Sequence, residues 1–350
     1  MSAYNPAATL FDGHTRSELL DSLGDPLREI EQNINWEDFR TELEKYFPTS
    51  IGKQGGRPRM DPVMMLKVLF LQKLYDLSDQ AMEYQIADRM SFQRFLRIQS
   101  TKGIPDQKTI WLFREQVKEH GLIDKLFDAF VQKLRERSLI VNSGKIVDAS
   151  IVHAPMQRNT REENQKINEG TIPDKWEEQP NKLSQKDVDA TWVKRHGKAY
   201  FGYKNHIKVD SKSKLIENYQ VTVSSEHDSQ ALEDVLEESD TGQKLYADSA
   251  YRSEEIEKEL EQRGIISRIH EKGKRGAPLT KAQQKRNRVK SKIRARVEHV
   301  FGHIKKKMGG LKIRSIGWER AAVNVGLFNL AYNIDRTNYL KKTLRKRYPI

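Results

Sequence analysis

The chain has 350 residues, long enough for two domains of which one has a sizeable core, and carries a formal net charge of +13 with a sequence pI near 9.5. It contains no cysteine, which excludes disulfides, thiol catalysis and cysteine-based zinc fingers and fits a reducing cytoplasm. No basic leader followed by an apolar run opens it. The best apolar stretch, Val63 to Leu74, is interrupted by Lys67, Gln72 and Lys73, too short and too charged to span a bilayer.

The charge is concentrated. Between Lys272 and Arg314 lie sixteen Lys or Arg against one acid, Glu298, so this stretch accounts for the whole positive excess. A like-charge block of this length points to a polyanionic partner, most simply nucleic acid, with a solvated basic face as the plainer alternative.

In chain order, Trp36 to Phe47 reads as an amphipathic helix. A Gly-rich basic linker, Gly52 to Arg59, follows, and its Arg57 and Arg59 suit a narrow minor groove. Asp61 as N-cap with Pro62 at the first position opens a helix with Met65, Leu66, Leu69, Phe70 and Leu74 on its apolar stripe. Further helices start at Ser78, Ser91 and Asp106. Short helices with exposed Lys, Arg and Gln suit a helix-turn-helix-like module.

Near Ser138 the pattern changes to strands. Lys145 to Val152 is the first, and Arg158 to Lys194 is a polar insertion read as a long loop. Tyr200 to Val209 alternates and turns at Asp210–Ser213 into a returning strand, Leu215 to Ser224. Ser229 to Glu238 is a helix, Lys244 to Ala247 a buried strand, Ser253 to Arg263 an acidic helix and Ile265 to Ile269 a last strand. One long basic helix from Ala282 to Lys307 and an apolar helix from Trp318 to Tyr332 complete the chain. A strand, a two-stranded hairpin, then alternating helix and strand is the layout of a ribonuclease H-like core, an α/β fold with a mixed five-stranded sheet flanked by helices.

Three carboxylates stand out: Asp148 after Ile146-Val147, Asp248 after Leu245-Tyr246-Ala247, and Glu298 on the basic helix. An acid at the end of a buried strand is costly without a partner charge or metal. Singly each has an ordinary role: Asp148 or Asp248 in a local turn, Glu298 in a surface pair with Arg294. Jointly, in the order strand, strand, helix, they favour a site for two divalent ions that activates a nucleophile at a phosphodiester. Which acid serves which ion is left open. Arg294, Glu298 and Lys305 share one helical face, placing two cations beside the acids. His299 and His303, four apart, lack the further ligands of a zinc site.

These stretches resemble the DDE transposases of bacterial insertion sequences, in the family-five group of the wider family-four clan. The likeness rests on Gly56-Arg57-Pro58 with Asp61-Pro62, Pro105-Asp106 to Arg114, Ile146 to Ser150, Phe201-Gly202-Tyr203-Lys204 to His206, His227-Asp228-Ser229, Ala247 to Tyr251, and Arg296 to Gly302. They run in family order from about residue 50 to residue 335. The resemblance implies binding of terminal inverted repeats, end cleavage and strand transfer into double-stranded target DNA. It implies Mg²⁺ as cofactor, replaceable by Mn²⁺, and a homodimer or larger assembly on DNA in the bacterial nucleoid. Asp148, Asp248 and Glu298 are then the catalytic metal ligands, and Arg57, Arg59, Lys204, His206, Arg294, Arg296, Lys305 and Lys306 the candidate DNA contacts. Ser291 stands where the family signature has Tyr. The implied organisation is an arm and linker (1–55), a helical DNA-binding domain (56–137), a ribonuclease H-like catalytic domain (138–335, insertion 158–194) and a basic tail (336–350). A nuclease on the same fold and a non-catalytic DNA-binding derivative are the rival readings.

Overall fold

The computed structural model describes residues 12–48, 59–195, 197–273 and 276–347. The linker Gly52–Pro58, with Arg57, lies outside them. Every described element before residue 145 is helical: α1 (Asp12–Ser22), α2 (Pro26–Asn33), a 3₁₀ turn (Trp36–Phe39), α3 (Arg40–Glu44), α4 (Pro62–Tyr75), α5 (Asp79–Asp88), α6 (Met90–Leu96), α7 (Gln107–Glu119) and α8 (Leu122–Glu136). The starts follow the caps expected from the sequence. Asp61 accepts from Met64 N at 2.8 Å, Ser78 from Ala81 N at 3.1 Å and Asp106 from Thr109 N at 2.7 Å, each satisfying an amide that the helix leaves unpaired.

The chain divides into two compact units whose boundaries fall inside α4, α7 and the last helix. The first holds the described residues of 1–72, 77–114 and 337–350. At its centre Trp36 meets Phe70 and Phe95 edge-on, at 5.4 and 5.5 Å between ring centroids, a geometry that aligns ring edges with ring faces.

The second unit holds 73–76 and 115–336 and is built on a mixed sheet of β1 (Lys145–His153), β2 (Thr191–Arg195), β3 (Lys198–Asp210), β4 (Ile216–Val223), β5 (Lys244–Tyr246) and β6 (Ile266–Ser267). The order is β2-β3-β1-β5-β6, with β4 also paired to β3. Antiparallel pairing joins β1, β2 and β4 to β3, and parallel pairing joins β5 to β1 and to β6. The sheet has six strands rather than the expected five because Thr191–Arg195 extends β3 as a hairpin within the stretch read as an insertion loop.

The rest of that stretch is also structured, as α9 (Arg161–Asn168), α10 (Asp174–Glu177) and α11 (Pro180–Leu183). Its centre is Trp176, fully buried, whose indole donates to Glu163 at 2.6 Å while the Lys182 and Lys186 ammoniums sit over its ring at 5.5 and 5.1 Å. One aromatic under lysine stems organises a segment whose average polarity reads as loop.

Three further expectations change. The helix of Ser229–Glu238 shrinks to one turn, α12 (Leu232–Val235), ahead of α13 (Glu254–Gln262). The long basic helix is two, α14 (Lys281–Arg294) and α15 (Arg296–Lys307), because a tight turn at Ala295, closed by Glu298 N to Ala295 O at 3.2 Å, redirects the chain. The last helix, α16 (Trp318–Arg347), runs through residues expected to be a tail.

Strand alternation decides what each face meets. Val147, Leu245 and Ala247 pack with Leu232, Val235 and Leu260 in a dry cluster beneath α12 and α13. The residues between them face the other way, where α15 packs on β1 and α14 on β5. Val297, Val300 and Ile304 of α15 are fully buried there, worth roughly 1.5–3 kcal/mol apiece.

Candidate active site

The parallel register pairs Lys145 with Leu245 and Ile146 with Tyr246. Two residues beyond these pairs stand Asp148, still on β1, and Asp248, past the end of β5, close enough for the charge of Asp248 to act on Asp148. β1 continues past Asp148 to His153, paired with β3 throughout, so Asp148 sits mid-strand rather than at a strand end. Asp248 follows β5 directly and caps the turn Ser249–Tyr251, accepting from Ala250 N at 2.7 Å.

From the helical side Arg294, the last residue of α14, donates to the Asp148 carboxylate at 3.1 Å, and its guanidinium also lies 3.7 Å from Glu298. Glu298, in the first turn of α15, keeps 66% of its side chain exposed. Arg294 therefore stands between the strand acid and the helical acid. With that guanidinium interposed, no group of three Asp, Glu or His among the described residues is close enough to hold an ion together.

Burial pushes the Asp148 carboxyl up to about 6, and nearby Asp248 adds to the rise, even though Arg294 and the Ala149 N–H oppose it. Asp148, Asp248 and Glu298 are of the donor type a hard divalent cation takes, carboxylate oxygens with retained water, but among the described residues they are not gathered around one point. Around them Tyr251 is buried, its hydroxyl raised well above its ordinary range by burial and by the charges of Asp228, Asp148 and Asp248. Burial, with Arg294 and Lys290, lowers His270, whose Nε2 lies 3.2 Å from Ser291 Oγ. Ser291, at the position of the family Tyr, thus faces the end of the β6 loop.

The candidate DNA contacts separate by environment. Arg59, Lys305 and Lys306 are exposed, and Lys305 lies near enough to His153 to help lower its pKa, after burial. Arg296 is half-buried and donates to Ser211 O at 2.8 Å. Lys204 is buried and pairs with Asp228 at 2.7 Å. His206 has no exposed surface: it lies inside the sheet with Nε2 2.8 Å from Thr222 Oγ1, and burial lowers it to about 4. A neutral, enclosed imidazole offers nothing to a phosphate, so His206 is corrected from a DNA contact to a core residue. His303 is likewise committed, pairing with Asp335 at 2.8 Å.

Arg195 was missed by the sequence reading. Its charge reaches both Asp148 and Tyr251, and it closes β2, the strand hidden in the supposed insertion. The alternation of Thr191-Trp192-Val193-Lys194-Arg195 was the available signal.

Residues 141–334 match the family described as "Transposase DDE domain", and residues 14–116 match "Transposase domain (DUF772)". A cryo-EM structure of the piggyBac transposase synaptic complex with hairpin DNA is similar at a TM-score of 0.47 and 11% identity, over 89% of this chain and 75% of that one. With the first match spanning more than half of its length, the chain belongs to the transposase DDE domain family.

Proposed function

We propose that the protein is an insertion-sequence transposase, of the family-five group, that binds the terminal inverted repeats of its element, cleaves the DNA at the ends and transfers them into a target duplex. The observation that carries this reading is that Asp148 on β1 lies beside Asp248, just past the parallel-paired β5, while Arg294 links Asp148 to the helix pair that bears Glu298. The strand order β4-β3-β1-β5-β6, three antiparallel then two parallel, supports a ribonuclease H-like core. The helical residues 56–137 are assigned to end recognition, 138–335 to catalysis, and assembly on DNA to a dimer or larger species.

Asp148, Asp248 and Glu298 would hold Mg²⁺, with Mn²⁺ as a substitute; when bound, such ions activate the attacking water or hydroxyl and neutralise charge at phosphorus. The remaining work falls to the chain. Arg294 counters the burial that would keep Asp148 protonated, and so favours an acid able to act as a ligand at neutral pH. Asp248 is held by its own capping bond, which fixes its direction. Exposed Lys305 and Lys306 are placed to meet phosphates beyond the acids.

The test incubates the protein with Mg²⁺ and DNA carrying the ends that flank its own gene, beside Asp248→Asn, and maps breaks and joints. Nicks at the element boundary with joined products, absent in the variant, are expected, while end binding stays near wild type. Breaks without positional preference or joining would instead identify a nuclease, and binding without breaks a DNA-binding derivative.

A further inference from the structure

The basic helix α14 has two faces with different fates. Arg286 makes two bonds to Glu271 at 2.7 and 2.9 Å, Asn287 both donates to and accepts from the Glu271 backbone, Lys290 donates to Ile269 O at 2.8 Å, and Arg294 reaches Asp148. These residues lie on the inner face and are already committed. Lys281, Lys285, Arg288 and Lys292, at offsets of four, three and four, fall on the opposite face. All four are exposed, and none pairs with an acid among the described residues. No acid occurs between Lys281 and Lys292.

We infer that this four-cation stripe is a seat for the phosphate backbone of duplex DNA on the outer face of α14; the inference rests on the transposase reading above. Eleven residues of helix rise about 16 Å, alongside roughly five phosphates of one strand at about 3.4 Å of axial rise each. The anchors to Glu271, Ile269 and Asp148 hold the stripe in place relative to the sheet, and its last member, Lys292, lies on the face opposite Arg294. Most of the chain's positive excess lies in the segment containing α14, and on α14 itself these four are the exposed cations with no acidic partner among the described residues.

The experiment measures binding of a 30-base-pair duplex across a range of salt concentrations for the wild type, for K281Q/K285Q/R288Q/K292Q, and for R286Q. Glutamine keeps helix propensity and the positions are exposed, and circular dichroism of each variant checks the fold. Losing four phosphate contacts should flatten the slope of log K against log [salt] by about 3 to 4 and weaken binding at low salt on the order of a hundredfold. R286Q, whose guanidinium is held by Glu271, should keep the wild-type slope. An unchanged slope in the quadruple variant, or an equal loss in R286Q, overturns the seat. Absence of salt-dependent duplex binding by the wild type overturns the DNA reading itself.

Discussion

Arg294 donates to Asp148 at 3.1 Å across 146 residues of sequence, from the end of a helix to the middle of a strand. This contact ties the helix pair to the sheet at Asp148, beside Asp248. It also leaves Asp148 incompletely compensated, since burial still pushes its carboxyl up to about 6.

A divalent ion that supplies the missing charge should therefore stabilise the fold. Millimolar Mg²⁺ is expected to raise the melting temperature of the wild type, through about 1–3 kcal/mol of added stability if the ion is near 10 to 100 times its dissociation constant. In Asp148→Asn the shift should largely vanish. A differential scanning fluorimetry series with EDTA, Mg²⁺ and Mn²⁺ makes the comparison, and an equal shift in both proteins would place the ion elsewhere.

His206 makes stability fall in acid. Its folded pKa, about 4, is depressed from the ordinary 6.5 by burial, so below 6.5 the unfolded chain takes up a proton that the folded chain refuses. The stabilising contribution is complete above about pH 6.5 and declines as pH drops toward 4, by a few kcal/mol at most. Urea titrations at pH 7.5 and 4.5 should show a smaller difference for His206→Asn than for the wild type.

Gly202 carries the crowding between β1 and β3. Its φ is +147°, and an added Cβ would lie 2.1 Å from Val152 O, a backbone atom that the strand pairing holds in place. Gly202→Ala is expected to destabilise the second unit by about 3 kcal/mol or more, through overpacking and backbone strain. Chemical denaturation is the readout, and near-wild-type stability would mean that the strand can bulge locally.

Lys208 and Asp240 form a fully buried pair at 2.7 Å. Asp240→Asn leaves the ammonium without its full counter-charge, although Glu237 at 3.3 Å offers partial relief. The expected cost is about 3 kcal/mol, at the low end for a broken buried pair. A double-mutant cycle with Lys208→Met measures the coupling, which should be well above 1 kcal/mol.

What the sequence determined by itself was local. Alternation in Ile146-Val147-Asp148-Ala149 and the apolar run before Asp248 mark buried strands, and Asp61, Ser78 and Asp106 mark helix starts, because these signals act within a few residues. Local averaging also misled. The polarity of residues 158–194 hid Trp176 and β2, whose order comes from one ring and one strand partner, and the continuous basic pattern of 282–307 hid the turn at Ala295. Only the tertiary structure decided that His206 is enclosed. It alone gave Arg286, Lys290 and Arg294 partners in Glu271, Ile269 O and Asp148 while leaving Lys281, Lys285, Arg288 and Lys292 in solvent. Glu271 and Ile269 O, from the segment after β6, and Asp148, from β1, sort these cations, and no spacing along the helix encodes where those partners will lie.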